Sequence, residues 1–322
     1  MAKTRIEIAR RIAGVIAIVL GVALTGFAET VTNVRGLQRE NSKLVDIYYD
    51  LNATDGGTYY VEVEVVGRTS DVTASSFSGD VGDGVTPGQN RHVVWDAGAD
   101  WPNKKGEVKA TVIAINGGKP NKVQLWAGGP YWADRNIGAL KPEDYGLYFW
   151  WGDTIGYKRE NNSWAASDGS SSNFSFRYEN VPTSGKGQVA LKEEGWLTTD
   201  GVLKPKHDAA HVQWGGAWRM PTDQELSDLC YKCDWTLTTL NDVNGFIVCG
   251  RGGYASNRIF IPFTGAGTSN AINTSGWSWY WSSVPDTVEG YTKVLHVAPG
   301  PNCFYYADFN GRFYGVSIRP VQ

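Results

Sequence analysis

Methionine and cysteine are scarce in this 322-residue chain, which has two and four of them. The four cysteines all follow residue 229, so no cysteine near the N-terminus can carry a lipid anchor. Excess positive charge is also missing, because 30 lysines and arginines face 33 acidic residues and give a formal charge of −3. Nucleic acid or an anionic membrane as partner would require a basic face. The charge balance therefore argues against both.

Long apolar runs are absent beyond residue 28, and the mean hydropathy is negative, which excludes a protein with several membrane spans. The one such run, residues 12–27, follows four basic residues and ends on Gly26-Phe27-Ala28. That order predicts a secretory signal peptide over residues 1–28. An uncleaved anchor is the alternative, but a spanning helix needs about 20 apolar residues.

Removal of residues 1–28 would leave about 294 residues and a formal charge near −6, because the segment carries four basic side chains and one acidic. This length is typical of two domains. The 39 glycines, 14 tryptophans and 16 tyrosines indicate a β-rich protein outside the cytoplasm, in the periplasm, at the cell surface or in the medium. No membrane insertion is expected after cleavage of the signal.

Residues 29–115 have short β-rich runs separated by turns, which predicts an antiparallel β-sandwich of the immunoglobulin or fibronectin kind. Alternation over residues 60–65 indicates a strand with one buried face. Asp55-Gly56-Gly57 predicts a hairpin turn, and residues 116–121 are the predicted interdomain linker. The predicted strands are 31–39, 44–52, 59–66, 92–95 and 107–115.

Residues 122–322 predict a second, mixed α+β domain. A helix is expected after Pro221, because Thr222 and Glu225 have the spacing of a capping box and an apolar stripe follows. The Ser-, Gly- and Asn-rich stretch 161–204 is expected to be a long surface excursion. The predicted strands are 245–249, 258–262, 278–282, 293–297, 303–307 and 316–321.

The four cysteines allow up to two disulfides in three connectivities, and the sequence does not choose among them. Cys230 and Cys233 also have the spacing of a redox dithiol or half a zinc site. They lie near the expected end of a helix and have no matching second pair. Structural disulfides or buried thiols are therefore expected of Cys230, Cys233, Cys249 and Cys303.

Seven short motifs follow one another in the second half: LWA at 125–127, RNIGA at 135–139, YGLYFWWGDT at 145–154, DAA at 208–210, WGGAWRMPT at 214–222, YWSS at 280–283 and YGVSIRPV at 314–321. They resemble the Fibrobacter-type major paralogous domain, a relative of formylglycine-generating-enzyme-like and C-type-lectin-like domains. The resemblance implies a C-type-lectin-like α+β fold over residues 122–322, in extracellular proteins of largely unknown or binding function.

The first domain resembles a β-sandwich module that precedes similar domains in exported bacterial proteins. The resemblance rests on residues 31–35, 43–51 and 94–101. No chemistry is implied by this module. The interpretation favoured is a spacer that holds the second domain away from a surface.

Formylglycine-generating enzymes oxidise a substrate cysteine, and the resemblance implies a pair of active-site cysteines near the C-terminal end of the domain. Only Cys303 lies there, and Arg319 in the terminal motif has no cysteine beside it. This chemistry needs two thiols. No catalytic residue is therefore expected.

Metal sites are not expected either. His207 and His211 have the i, i+4 spacing of helical zinc sites, but Asp208 stands where a zincin would need glutamate. The calcium-bridged sugar site of true C-type lectins needs an acid before Pro-Asn, and Gly300-Pro301-Asn302 lacks one. No cofactor is expected, and a structural calcium ion without a motif stays open.

Aromatic residues crowd residues 277–314. Alternate residues of a strand face opposite ways, so about half of these rings should lie in the core. Trp281 and Tyr314 are expected in the core because they belong to the motifs. Aromatics with interleaved polar groups suit sugar stacking or protein hot spots. The predicted ligand-binding residues are Asn302, Tyr305, Asp308, Phe309, Asn310, Arg312 and Phe313.

These patterns together predict an exported, two-domain, non-enzymatic protein. It is expected to bind a glycan or a protein outside the cytoplasm through its C-terminal loops. A formylglycine-generating enzyme and a purely structural surface component are the alternatives.

Overall fold

The computed structural model describes residues 17–19, 30–53, 57–68, 71–171, 173–269, 271–273, 276–299 and 310–322. Strands dominate these residues, helices are short, and the sheets are mainly antiparallel. None of the described helices has the length and apolar composition that crossing a bilayer requires. Of the predicted signal peptide, only the backbone of Ala17–Val19 is described.

Two four-stranded sheets form the N-terminal part. Their elements are β1 (Ala17–Val19), β2 (Thr30–Gln38), β3 (Leu44–Asn52), β4 (Tyr59–Gly67), β5 (Phe77–Gly79), β6 (Gly82–Val85), β7 (Gly88–Asp96), α1 (Ala97–Asp100) and β8 (Glu107–Asn116). One sheet has the order β2-β3-β7-β5 and the other β1-β8-β4-β6. All neighbours are antiparallel except β1 and β8, which run parallel.

The inward side chains of both sheets form one apolar core, which includes Val45, Ile47, Val63 and Trp95. The alternation predicted over residues 60–65 is confirmed: Val61, Val63 and Val65 are buried, whereas Tyr60, Glu62 and Glu64 are partly exposed. The five strands predicted from the sequence in this part correspond to β2, β3, β4, β7 and β8.

The hairpin predicted at Asp55-Gly56-Gly57 is wrong. β3 pairs with β2 and β7, whereas β4 pairs with β6 and β8 in the other sheet. Asp-Gly chemistry favours a chain reversal, but it does not determine which strand lies next in a sheet.

The rest of the chain combines short strands with helices. Within the described residues the strands are β9 (Lys122–Gln124), β10 (Tyr131–Ala133), β11 (Tyr157–Glu160), β12 (Ser163–Ala166), β13 (Asp234–Leu240), β14 (Val243–Cys249), β15 (Arg258–Pro262), β16 (Ala266–Gly267), β17 (Ile272–Asn273), β18 (Ser278–Pro285), β19 (Tyr291–Val297) and β20 (Asn310–Gly311). The α-helices are α2 (Gln188–Glu193), α3 (Ala209–Trp214) and α4 (Asp223–Lys232). Single 3-10 turns occur at Tyr178–Asn180, Pro205–His207 and Gly252–Tyr254.

Antiparallel sheets β13-β14-β15 and β18-β19-β20 are the largest in this part. The predicted helix is α4, and its capping box is confirmed. Thr222 Oγ1 accepts from the amide of Glu225 at 3.2 Å, and the Thr222 amide donates to the Glu225 carboxylate at 2.8 Å. The stripe Leu226, Leu229 and Cys230 is buried, as expected of the apolar face.

Two other expectations for this part are wrong. The stretch 161–204 is not a surface excursion, because it contains α2 and buries Trp164, Phe176, Leu191 and Leu203. Residues 316–321 form isolated bridges instead of a strand, with Phe149, Tyr280, Arg219 and Trp132 as partners. The strand predicted at 303–307 lies outside the described residues.

The last residues of β8 join the two parts. Val112 faces the first core, whereas Ile113 and Ile115 pack in a second core with Trp214 of α3. The predicted linker that follows β8 is held in place, since Arg135 donates to the carbonyl of Gly118 at 2.6 Å. β8 therefore contributes side chains to both cores.

Candidate functional site

Most of the predicted binding residues lie beyond what the structure describes. Asn302, Tyr305, Asp308 and Phe309 fall outside the described residues, and only the backbone of Asn310, in β20, is placed. Arg312 and Phe313 are described in full. The two side chains differ in burial, and their role in binding stays a prediction.

Arg312 is fully buried, so its prediction as a surface contact is wrong. The guanidinium lies 4.8 Å from the centroid of the Trp151 ring. Burial lowers its pKa to about 10. Its N–H groups donate to three carbonyls and one hydroxyl, at 2.7–3.1 Å, on Thr183, Lys186, Tyr291 and Thr292. Arg312 therefore fixes the chain immediately before Phe313.

Phe313 belongs to a continuous row of partly exposed rings. Its ring stacks on Tyr314 at 4.6 Å and meets Tyr178 edge-on at 6.1 Å. The ring of Tyr314 lies 5.7 Å from Trp279, which lies 4.5 Å from Trp277. His296 is about 6 Å from both tryptophans. We call this set the aromatic row: Tyr178, Phe313, Tyr314, Trp279, Trp277 and His296.

The β18–β19 pairing positions one end of the row. Trp279 lies opposite His296 in the register, and Trp281 lies opposite Val294. Trp281 is fully buried and donates to the carbonyl of Phe149 at 2.7 Å. Trp279 and Trp281 thus lie on the same face of the sheet, which is buried at Trp281 and partly exposed at Trp279. Trp281 is core, as predicted.

A glycine positions the other end. A Cβ on Gly311 would lie 2.5 Å from the Phe313 ring, so the missing side chain lets the ring lie against the backbone. Tyr314 is part of the row but also packs on the second core. The prediction from the sequence that Tyr314 belongs to the core therefore describes only one of its two contacts.

Sequence reasoning did not assign Tyr178 or His296 to a site. The two-residue spacing of Trp277, Trp279 and Trp281 was a usable signal for one face of a strand. Nothing local in the sequence connects Tyr178 with residues more than 130 positions later. That contact depends on the folded stretch 161–204.

None of the cysteines that the structure describes belongs to the aromatic row. Cys230 and Cys233 are buried at the end of α4, Cys249 is partly exposed in β14, and no disulfide joins any two of these three. Cys303 lies outside the described residues. In the described part of the chain, no three His, Cys, Asp or Glu side chains are grouped to hold a metal ion.

The His207-to-His211 segment has structural contacts instead. His207 stacks on Trp196 with ring centroids 4.0 Å apart. Asp208 caps α3 by accepting from the amides of Ala210 and His211, and it also accepts from Met220. Burial raises the pKa of Asp208. His207 belongs to the 3-10 turn before α3 and His211 to α3 itself, so the two histidines do not lie on one helix.

Comparison with other proteins adds no assignment. No family model matches the chain, and neither a curated protein nor a solved structure matches it. The family resemblance stays a prediction from the motifs.

Proposed function

We propose that this is an exported, non-catalytic protein that binds a glycan outside the cytoplasm through the aromatic row. The row itself is the observation that carries the proposal. Rings from four separate segments of the chain follow one another at centroid distances of 4.5–6.1 Å and remain at least partly exposed. Aromatic rings present large apolar faces with polar tips on Tyr and His. Sugar rings combine apolar faces with hydroxyls in the same way.

The proposal includes the finer fold. Residues 29–115 are taken as a β-sandwich spacer, supported by the four-stranded sheet β2-β3-β7-β5 and the strands β8-β4-β6, which share one core. Residues 122–322 are taken as a C-type-lectin-like domain. Support comes from the motif residues, which pack together: Trp281 bonds to Phe149, and Trp151 donates to the carbonyl of Ser282 at 2.9 Å.

Three other functions are alternatives. A protein ligand would also use a row of rings as a hot spot. A formylglycine-generating enzyme would need a second cysteine beside Cys303, which the sequence does not contain. A structural surface component would have no ligand at the row. Export rests on the basic and apolar pattern of residues 1–28.

The direct test is a glycan array followed by calorimetric titration of each hit. Trp277→Ala and Phe313→Ala remove rings from opposite halves of the row. Tyr231→Ala is the matched control, because it removes a ring that is 70% exposed on α4. We expect each row variant to weaken binding by about fivefold or more, since stacked rings contribute about 1 kcal/mol or more each. The control should bind like the unmodified protein.

Circular dichroism and thermal unfolding of all variants separate loss of the site from loss of the fold. Binding that survives both row substitutions in folded protein would remove the row as the site. A protein ligand in place of a glycan would show as capture of a defined polypeptide that the same two variants lose. Absence of any glycan binding would reject the proposal.

A further inference from the structure

A polar cleft of about 360 Å³ lies beside the aromatic row. Its walls are the β11–β12 hairpin, residues 173–180 and the loop after β16. Arginine, asparagine and serine side chains make up most of the lining, and Trp164 and Phe174 provide aromatic contacts. This combination of donors and rings differs from the apolar lining of an ordinary packing defect.

Two guanidinium groups give the cleft its charge. Arg159 lies 5.6 Å from the centroid of the Trp164 ring. That ring is fully buried and is fixed by a hydrogen bond from its Nε1 to the carbonyl of Thr268 at 2.8 Å. Stacking on a fixed ring limits the orientations of the guanidinium. Arg177 belongs to the same cleft, and its side chain is 52% exposed.

Negative charge in the cleft is weaker. Among the described residues that line it, Glu179 is the one acid, and its side chain is 65% exposed. Its carboxylate is 3.9 Å from Arg177, and solvent screens such a pair. The neighbouring Glu160 pairs with Lys158 at 2.8 Å. The cleft therefore carries net positive charge on a chain whose overall charge is negative.

The 3-10 turn Tyr178–Asn180 joins the cleft to the row. Arg177, Glu179 and Asn180 line the cleft, whereas the ring of Tyr178 contacts Phe313. Consecutive residues of one turn thus belong to two adjoining surfaces. A saccharide stacked on the row at Phe313 would therefore lie against the same turn that lines the cleft.

We propose that the cleft is a subsite for the acidic group, a carboxylate or a sulfate, of a negatively charged saccharide bound along the aromatic row. This proposal rests on the glycan-binding function. The planar N–H fork of arginine matches the paired oxygens of either group. Asn162 and Asn180 supply amide donors and acceptors for the adjacent sugar hydroxyls.

The test is calorimetric titration of the full protein with three oligosaccharides of equal length: an oligogalacturonate, a sulfated heparin fragment and a neutral cello-oligosaccharide. The variants are Arg159→Gln, Arg159→Lys and Arg177→Gln. Arg68→Gln is the matched control, because it removes an arginine that is 73% exposed in the first part of the chain. Comparison of the carboxylate and sulfate probes identifies which acidic group is preferred.

We expect an acidic probe to bind at least about tenfold more tightly than the neutral one, and either glutamine variant to remove most of that preference. Arg159→Lys should restore part of it, because the charge stays but the fork is lost. Added salt should weaken acidic binding, and Arg68→Gln should leave it unchanged. Arg177 is exposed, so its substitution is readily tolerated by the fold.

Equal affinity for acidic and neutral probes, unaffected by the arginine variants but lost in Trp277→Ala, would overturn the subsite and leave the glycan-binding function intact. Acidic binding that depends on the arginines but not on Trp277 or Phe313 would support the subsite and reject the row. No binding of any saccharide would reject both.

Discussion

Arg319 donates from Nε to the Oδ1 of Asn136 at 2.8 Å and so joins two segments 183 residues apart. Its other nitrogens donate to the carbonyls of Ala133 at 3.2 Å and Phe260 at 2.9 Å. Both side chains are buried, and burial lowers the pKa of Arg319 to about 10. Two of the motifs behind the family resemblance thus meet in one hydrogen-bonded network. These motif residues stabilise the fold, whereas the proposed ligand contacts lie elsewhere.

Replacement of Arg319 should be costly for stability. Arg319→Ala removes the hydrogen bonds to Asn136, Ala133 and Phe260 and opens a cavity. We expect a loss of about 3 kcal/mol or more in the free energy of unfolding, measured by urea denaturation. Arg68→Ala, at an exposed ion pair with Glu107, should change it by less than about 0.5 kcal/mol. Equal effects of the two substitutions would contradict the network.

The capping box of α4 gives a smaller, local prediction. Thr222→Ala removes the oxygen that accepts from the amide of Glu225. We expect a loss of about 1 kcal/mol in the free energy of unfolding. Gln224→Ala, an exposed position on the same helix, is the control and should have little effect. A Thr222→Ala protein as stable as the control would mean that the cap is not formed in solution.

The ionisation of Asp46 should make the free energy of unfolding depend on pH. Hydrogen bonds from Arg39, and then from His92, lower the pKa of Asp46 to about 2. A lowered pKa in the folded state contributes stability above the unfolded value of 3.8, and this is lost as the pH falls through about 2. The advantage of the unmodified protein over Asp46→Asn should therefore shrink between about pH 5 and pH 2. Asp71→Asn, at an exposed residue, should show no such trend.

Asp153 should show the opposite dependence. Its carboxyl is buried, accepts from the amides of Ile155 and Gly156, and has its pKa raised to about 7 by burial. The folded state then favours the protonated form, so stability falls as the pH rises from 3.8 through about 7.

Asp153→Asn keeps an acceptor without the charge. Its stability relative to the unmodified protein should therefore increase from about pH 4 to pH 8 and then level off. Urea denaturation at several pH values measures this, with the exposed Asp200→Asn as the control. A pH-independent difference would show that Asp153 titrates near its ordinary value.

Local patterns predicted much of the N-terminal part, because each strand has its own alternation or β-rich composition. β3 has the predicted bounds, 44–52. The helix α4 could also be predicted from the sequence, since its cap and its apolar stripe lie within ten residues. The placement of β3 and β4 in different sheets could not be predicted, because strand partners depend on the whole fold.

The site was less predictable for the same reason. Arg312 has a polar sequence neighbourhood that suggests a loop, but carbonyls of residues 183–186 and 291 surround it in the fold. The burial of a charged side chain depends on partners that are distant in sequence. Phe313 was predicted at the surface, and the structure places it in the aromatic row, although its neighbour Tyr178 could not be inferred.

The contact between β8 and α3 gives a test of how the two parts of the chain are coupled. Gly215, at the end of α3, has a φ of 63°, and a Cβ there would lie 2.2 Å from the Cδ1 of Ile113. The next amide, that of Gly216, donates to the Glu64 carboxylate on β4. An added methyl group would therefore force the Ile113 side chain to move at the contact between β8 and α3.

Gly201 is the matched control, because its φ is 84° and a Cβ there would meet no atom within 4 Å. Both alanine variants carry the cost of a positive φ, about 1 kcal/mol, and Gly215 has in addition a ψ of −163°, which L residues rarely combine with a positive φ. Gly215→Ala should cost about 1–3 kcal/mol more, from this backbone strain and from the clash, measured by thermal and urea unfolding. If β8 couples both cores, that variant should also split the single unfolding transition expected of the unmodified protein into two. Equal costs and an unsplit transition would mean that the two parts do not depend on this contact.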